Sequence, residues 1–351
     1  MAIASRPSGE GFGSPRGTFL KKIKWSENYY SLKLPTGLVY QECILIFDAL
    51  LWKRHSQWIK KFPNRLKVKA GEDLKSVESF SQNIGKIVSL SSGISRSQLS
   101  IVVFGGGSVG DFGGFVASTL KRGVTLIQIP STWLAAMDSA HGGKNALNVG
   151  GFKNQVGSIY LAKEIHLVKE VLQSLPETQR KDSLGEFYKT ALLTGGQFWK
   201  KASQEKNPDF KFLWQQLPHV IHGKMKIVKA DLWETKGLRH ILNLGHTVGH
   251  VLESELHMAH GAAVHLGLLF SLNWGARLGL YRATNWEWLP SQEQLRTGLR
   301  AIKNPEALLL QDKKISAADE IQFVFVQRPG KAIVKKVKIK KLLEEWERQC
   351  R

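Results

Sequence analysis

From residue 43 onward, short strand-like runs alternate with stretches whose apolar residues recur every three or four positions. Cys43-Ile-Leu-Ile-Phe47, Arg65 to Val68, Leu99-Ser-Ile-Val-Val-Phe104 and Val124 to Ile129 read as strands, the last stopped by Pro130. Leu50 to Lys61, Glu72 to Ile87 and Asp111 to Lys121 read as the helices between them. A strand that is apolar at successive positions needs cover on both faces, and alternation with helices supplies it, so the pattern predicts a parallel α/β sheet. From about Pro176 the pattern turns mainly helical, with Ser183 to Leu193, Pro218 to Lys229, His240 to Leu256 and Ala262 to Leu278. Near the end, Ile321 to Val326 and Ala332 to Ile339 flank Arg328-Pro-Gly-Lys331 and read as a hairpin.

A chain of 351 residues exceeds the size at which single cores stop growing. The expected division is a flexible tail over 1–20, an α/β unit over 21–175 and a mainly helical unit over 176–351. Gly, Ser, Pro and Arg without periodicity mark the tail as unable to bury enough surface to order itself.

Charge is the unusual feature of the composition. Lysine and arginine number 50 against 29 acidic residues, a net charge of +21, which favours anionic partners such as nucleic acid, membrane surface or phosphorylated metabolites. No zinc finger, helix-turn-helix cue or basic-aromatic array accompanies it, so nucleic acid is not favoured. No stretch is apolar for long enough to span a bilayer. Cys43 and Cys350, far apart and outside any CxxC, give neither a disulfide framework nor a thiolate metal site. The first residues lack an apolar leader, and a soluble, cytoplasmic protein is expected.

Two motifs carry candidate chemistry. Gly105-Gly-Gly-Ser-Val-Gly110 follows a strand and opens a helix, where backbone amides and the helix N-terminus suit a pyrophosphate. A tight turn that needs glycine for packing gives the same pattern. Asn243-Leu-Gly-His-Thr-Val-Gly-His250 places His246 and His250 at i and i+4 on one helical face, and His260 precedes Gly261 at a helix start. Gly185-Glu-Phe-Tyr-Lys189 adds a carboxylate and an ammonium on one face of another helix. Two imidazoles and one carboxylate with an open position make a catalytic zinc set, and spacing alone nominates His246 with His250.

Together with Gly71-Glu-Asp-Leu-Lys75, Lys121-Arg-Gly123, Asp138-Ser-Ala-His-Gly-Gly-Lys144, Lys153-Asn154 and Asp312-Lys-Lys314, these motifs make the chain resemble the dehydroquinate synthase family from about Ile44 to the final helix. The resemblance implies an N-terminal Rossmann-like, NAD-binding α/β domain, a mainly helical metal-binding domain and a homodimer. It implies metal ligation, by zinc or cobalt, at Glu186, His246 and His260, and so removes His250 from the ligand set to a proton-transfer or supporting place. It implies NAD contacts at Asp48, Glu72, Lys75, Gly106, Gly107, Asp111, Ser131, Thr132, Asp138, Ser139, Lys144 and Lys153. Substrate contacts are implied at Lys144, Asn154, Lys189, Lys224, Arg239, Asn243, His250, Lys313 and Lys314, with Arg122 reaching across a dimer. Lys144, Lys189, Arg239, Asn243 and His250 are the implied catalytic groups.

The implied reaction converts 3-deoxy-D-arabino-heptulosonate 7-phosphate to 3-dehydroquinate and phosphate, through transient oxidation, phosphate elimination, re-reduction and aldol closure. A substrate with a phosphate and a carboxylate accounts for the cations. Another sugar phosphate cyclase, or a metal-dependent polyol dehydrogenase of the same fold, is the alternative. His141, Asn145 and Ala262 depart from the family pattern, and Ser131 stands for a common threonine. Ala262 replaces a glutamate common after His-Gly, which points to altered metal affinity.

Overall fold

A computed structural model describes residues 22–26, 39–281, 287–310, 315–316 and 319–351. The proposed tail, Lys313 and Lys314 lie outside the described residues.

A six-stranded sheet of β1 (Lys22–Ser26), β2 (Cys43–Asp48), β3 (Asn64–Val68), β4 (Ser100–Gly105), β5 (Thr125–Pro130) and β8 (Glu164–Val168) runs in the order β1-β8-β5-β4-β2-β3, with every pair parallel. The apolar runs do not alternate because both faces are covered. Ile44, Ile46, Ile101 and Val103 enter one core with Phe112 and Val116 of the helix Gly107–Thr119. Cys43, Leu45, Phe47 and Phe104 enter another with Trp58 and Ile59 of the helix Trp52–Ile59. The helices that follow β2 and β4 therefore cover opposite faces. Strand order reverses between those two neighbours, which opens a crevice at their carboxyl ends.

The strand assignments from periodicity hold, and the differences have local causes. Glu72 to Ile87 is not one helix. Ser76 is extended and its hydroxyl accepts from Ser79 N at 3.0 Å, so Glu72–Lys75 forms a 3-10 turn and the helix starts at Val77. His240 to Leu256 is likewise divided. Gly245, at φ +79°, ends the 3-10 segment Leu238–Asn243 and lets His246 begin the helix His246–Leu256. Pro218 sits inside the helix Phe210–Ala230 rather than at its start, which Asp209 caps instead.

Pattern reading missed the antiparallel hairpin of β6 (Lys144–Val149) and β7 (Phe152–Ile159), turned by Gly150 and Gly151 at positive φ. It also missed β8, whose Glu164 and His166 interrupt the apolar signal. Both are buried, with Glu164 ion-paired to Lys24 of β1 at 2.9 Å.

In the helical half, the helix Leu184–Thr194 is buried from Gly185 to Leu193 and packs against the helices His260–Arg277 and Phe210–Ala230. A Cβ on Gly185 would stand 2.0 Å from Gly261 O, so two glycines permit that approach. β9 (Ile315–Ser316), β10 (Glu320–Arg328) and β11 (Lys331–Lys338) form an antiparallel sheet next to the last helix, Ile339–Cys350. No helix among the described residues is long and apolar enough to cross a membrane.

Candidate active site and metal centre

The two close-packed glycines each precede or follow a functional side chain. Glu186 comes next after Gly185, and His260 stands just before Gly261, so the backbone approach brings the carboxylate and the imidazole together. His246 joins them from the break at Gly245. Its Nε2 lies 3.2 Å from Glu186 Oε1, and His260 Nε2 lies 3.5 Å from the same oxygen. Glu186 is 1% exposed, yet neither of its oxygens has a well-aligned hydrogen bond. A buried carboxylate with undirected lone pairs, facing two imidazole nitrogens, is a donor set suited to a divalent cation. One ligand atom from each of the three lies within 4.8 Å of the others.

Backbone and side chain orient the rings. His246 Nδ1 faces Leu244 O at 3.2 Å, and His260 Nδ1 faces Glu253 Oε2 at 2.8 Å. Burial, helped by the Lys189 ammonium, pushes His246 down to about 4, so it stands as the neutral imidazole a metal needs. Burial acts the same way on His260, but Glu186 and Glu253 outweigh it and raise that imidazolium to about 10. Burial would lift the Glu186 carboxyl, while Lys189 and the two histidines hold it well below the ordinary range. Lys189 Nζ lies 2.5 Å from Glu186 Oε2.

His250, nominated by spacing, is exposed, and its ring centroid lies 5.2 Å from that of His246. It is not part of the buried triad. It forms an outer group with Glu253 and His260 instead. The i, i+4 signal points to the helix that carries His246, but the buried group around Glu186 joins His246 with His260 rather than with His250.

Next to the triad lie the cations. Lys224, 5% exposed, donates to Asp138 O at 2.7 Å and to the Asp138 carboxylate. Burial lowers its pKa, Asp138 opposes this, and Lys189 adds to it. Arg239, also buried, donates from Nη1 to Leu232 O at 3.0 Å and from Nη2 to Gly142 O at 3.1 Å, while its Nε makes no hydrogen bond. A Cβ on Gly142 would lie 3.9 Å from both Arg239 Nη2 and Lys224 Nζ, so both cations border that glycine. Lys144 pairs with Glu234 at 2.5 Å, and Arg239 Nε is 3.6 Å from the same oxygen. Asn243 closes the 3-10 segment that carries Arg239.

The glycine turn occupies the crevice at the sheet's reversal. A Cβ on Gly106 would meet Thr132 Cγ2 at 3.0 Å, and one on Gly107 would meet Ser139 Oγ at 3.4 Å, so the turn, Ser131-Thr132 and Ser139 line one wall. Ser131 N donates to Gly105 O at 2.9 Å. Lys75, 7% exposed, contacts Asp111 at 2.9 Å, Asn154 Oδ1 at 2.9 Å and Glu72 at 3.9 Å, which joins three of the expected contact residues around one ammonium. Burial raises the Asp111 carboxyl, and Lys75 works against it. Asp48, at the end of β2, accepts from Leu50 N at 3.1 Å. Lys153 reaches from β7 to within 3.7 Å of Glu253.

Arg122, which the resemblance assigns to the site of a second copy, stands apart from the site of its own chain. It lies past the far end of the helix Gly107–Thr119, about 20 Å along the axis from the glycine turn at 1.5 Å per residue. Glu234 and Glu253 escaped sequence reasoning. Glu253 had a signal, since it follows His246 and His250 at i+7 and i+3 on the same helical face.

This fold recurs among sugar phosphate cyclases. One solved structure is 2-deoxy-scyllo-inosose synthase complexed with carbaglucose-6-phosphate, NAD+ and Co2+, with a TM-score of 0.75 and 21% identity, covering 93% of this chain and 96% of that one. Another is 2-epi-5-epi-valiolone synthase from Streptomyces hygroscopicus subsp. jinggangensis 5008 with NAD+ and Zn2+ bound, with a TM-score of 0.71 and 18% identity, covering 96% and 100%. Family models described as the N-terminal and C-terminal parts of 3-dehydroquinate synthase match residues 65–182 and 183–315. A 3-dehydroquinate synthase of Leptospira interrogans serogroup Icterohaemorrhagiae serovar copenhageni is 36% identical over 278 residues, 76% of this chain and 75% of that one. One from Pyrobaculum aerophilum is 32% identical over 293 residues, 79% and 82%. The chain belongs to the 3-dehydroquinate synthase family.

Proposed function

We propose that this chain converts 3-deoxy-D-arabino-heptulosonate 7-phosphate to 3-dehydroquinate and phosphate, with NAD in the crevice beside the glycine turn and a divalent metal, zinc or cobalt, at Glu186, His246 and His260. The observation that carries the reading is the buried Glu186, whose Oε1 faces two imidazole Nε2 atoms while Oε2 meets Lys189, next to further buried cations. When bound, NAD supplies reversible hydride acceptance and the metal supplies acidity to a substrate hydroxyl.

The chain's own residues do the rest. Lys224, fixed by Asp138, couples the substrate pocket to the loop beside the dinucleotide. Arg239 is held through Nη1 and Nη2, so its Nε is presented to an anion in a fixed direction. Glu234 pairs with Lys144 and borders Arg239, and a substrate carboxylate or phosphate would meet the same two cations. His250, on the exposed side of His246, stands where a proton can pass to or from solvent. Lys189, Asn154 and Asn243 complete the polar lining, and Lys313 and Lys314 are further substrate contacts that the family resemblance implies.

The reading extends to a cytoplasmic homodimer, to an NAD-binding domain over 21–175 and to a metal-binding domain over 176–351. Arg122, remote from the site of its own chain, would serve that of the second copy.

Incubation of the protein with the heptulosonate phosphate, catalytic NAD and zinc should release phosphate without net NADH. Steady NADH accumulation without phosphate release would replace the reading with a polyol dehydrogenase.

A further inference from the structure

Glu253 has no part in the ligand set, yet it decides what one ligand can do; this inference rests on the metal reading of Glu186, His246 and His260. A neutral imidazole offers a metal only the nitrogen without hydrogen. His260 places Nε2 3.5 Å from Glu186 Oε1 and Nδ1 2.8 Å from Glu253 Oε2. A carboxylate can only accept, so when a metal takes Nε2 this contact keeps the remaining hydrogen on Nδ1 and selects the tautomer whose Nε2 lone pair is free for the metal. His246 gets the same arrangement from a fixed backbone carbonyl, Leu244 O.

The two histidines differ in confinement. The His246 side chain is 12% exposed and that of His260 is 28% exposed, against 1% for Glu186. His260 is the least enclosed of the three and depends most on a partner to hold its ring. That partner belongs to the helix that begins with His246, so one helix carries one ligand directly and steers another. The second Glu253 oxygen lies 3.7 Å from Lys153 Nζ of β7, an ion pair that leaves the first oxygen to His260.

We propose that Glu253 is a positioning residue for the metal centre, setting both the tautomer and the ring rotation of His260. A competing arrangement exists, because His250, Glu253 and His260 also bring ligand atoms within 4.8 Å of one another and would bind a second cation through His260 Nδ1.

Titration of the purified full chain with Co2+ alone, followed by chelator competition and visible absorption, separates these cases. Glu253→Ala should weaken Co2+ binding by about 10-fold to 100-fold and shift the visible bands, with one equivalent still bound at saturation. Glu253→Gln should fall between Ala and the parent, because its amide oxygen still accepts but through a neutral, weaker bond. Should Glu253→Ala not fold, the Gln variant decides. Parent-like affinity and spectrum in both variants, beside a His246→Ala control that loses the metal, would overturn the positioning role and leave the centre intact. Loss of one of two bound equivalents would overturn it in favour of direct ligation. Parent-like binding by His246→Ala would remove the metal centre, and the proposal with it.

Discussion

Gly261 tests whether backbone packing holds the candidate metal centre together. A Cβ added there would stand 1.3 Å from Asp182 O and 2.5 Å from Asp182 C, both backbone atoms that no side-chain rotation can move. Opening the first distance to the 3.0 Å that real Cβ atoms respect requires a shift of about 1.7 Å between the start of the helix His260–Arg277 and the residues leading into Leu184–Thr194. Those two segments carry His260 and Glu186. Metal–ligand distances tolerate only about 0.2 Å, so Gly261→Ala should lower zinc affinity by about 10-fold to 100-fold. Overpacking should also cost about 1–3 kcal/mol of stability. Gly275→Ala, the same change on the same helix, meets nothing closer than Phe325 Cδ1 at 3.8 Å and should bind zinc normally. Zinc affinity by chelator competition, beside urea unfolding in chelator, reads both effects. Parent-like zinc affinity in Gly261→Ala would show that the glycine approach does not position the ligands.

Lys75→Met should destabilise the protein by about 2–3 kcal/mol at pH 8, since it strands the Asp111 carboxylate that Lys75 neutralises at 2.9 Å. Without Lys75 the folded-state pKa of Asp111 rises further, so the cost should shrink as the pH falls and that carboxyl takes its proton. A cost independent of pH in urea unfolding would refute this account. Burial lowers His141, His166 and His265 to about 4 each, below the ordinary 6.5. Their folded pKa values are depressed, so their contribution is full above pH 6.5 and is lost as the pH falls towards 4, by at most about 3.4 kcal/mol each. His265→Phe keeps the stack on Tyr188 and should flatten the dependence of Tm on pH in that window; an unchanged slope would show that His265 does not titrate there.

The order of elements was legible in the sequence because strands buried on both faces and amphipathic helices leave different periodicities. Cys43 to Phe47 and Leu99 to Phe104 could be placed from composition alone. Glu164 and His166 hid β8, because a buried polar pair looks like a solvated stretch until its partner across the sheet is known. The glycine turn was visible as a motif, but its place at the reversal of strand order depends on how β2, β4 and β5 are arranged, which no local pattern specifies.

The metal centre divides in the same way. Local sequence supplied the residue types, and the i, i+4 spacing drew attention to His246 and His250. Spacing describes one helix, whereas Glu186, His246 and His260 stand on three; the family resemblance named that set in place of His250, and the tertiary structure shows how its three side chains come together. The physical reason lies in Gly185, Gly245 and Gly261: by lacking a side chain they let backbones approach, and that approach decides which polar groups meet. Glu253 became significant only when His260 was found within hydrogen-bonding distance of it.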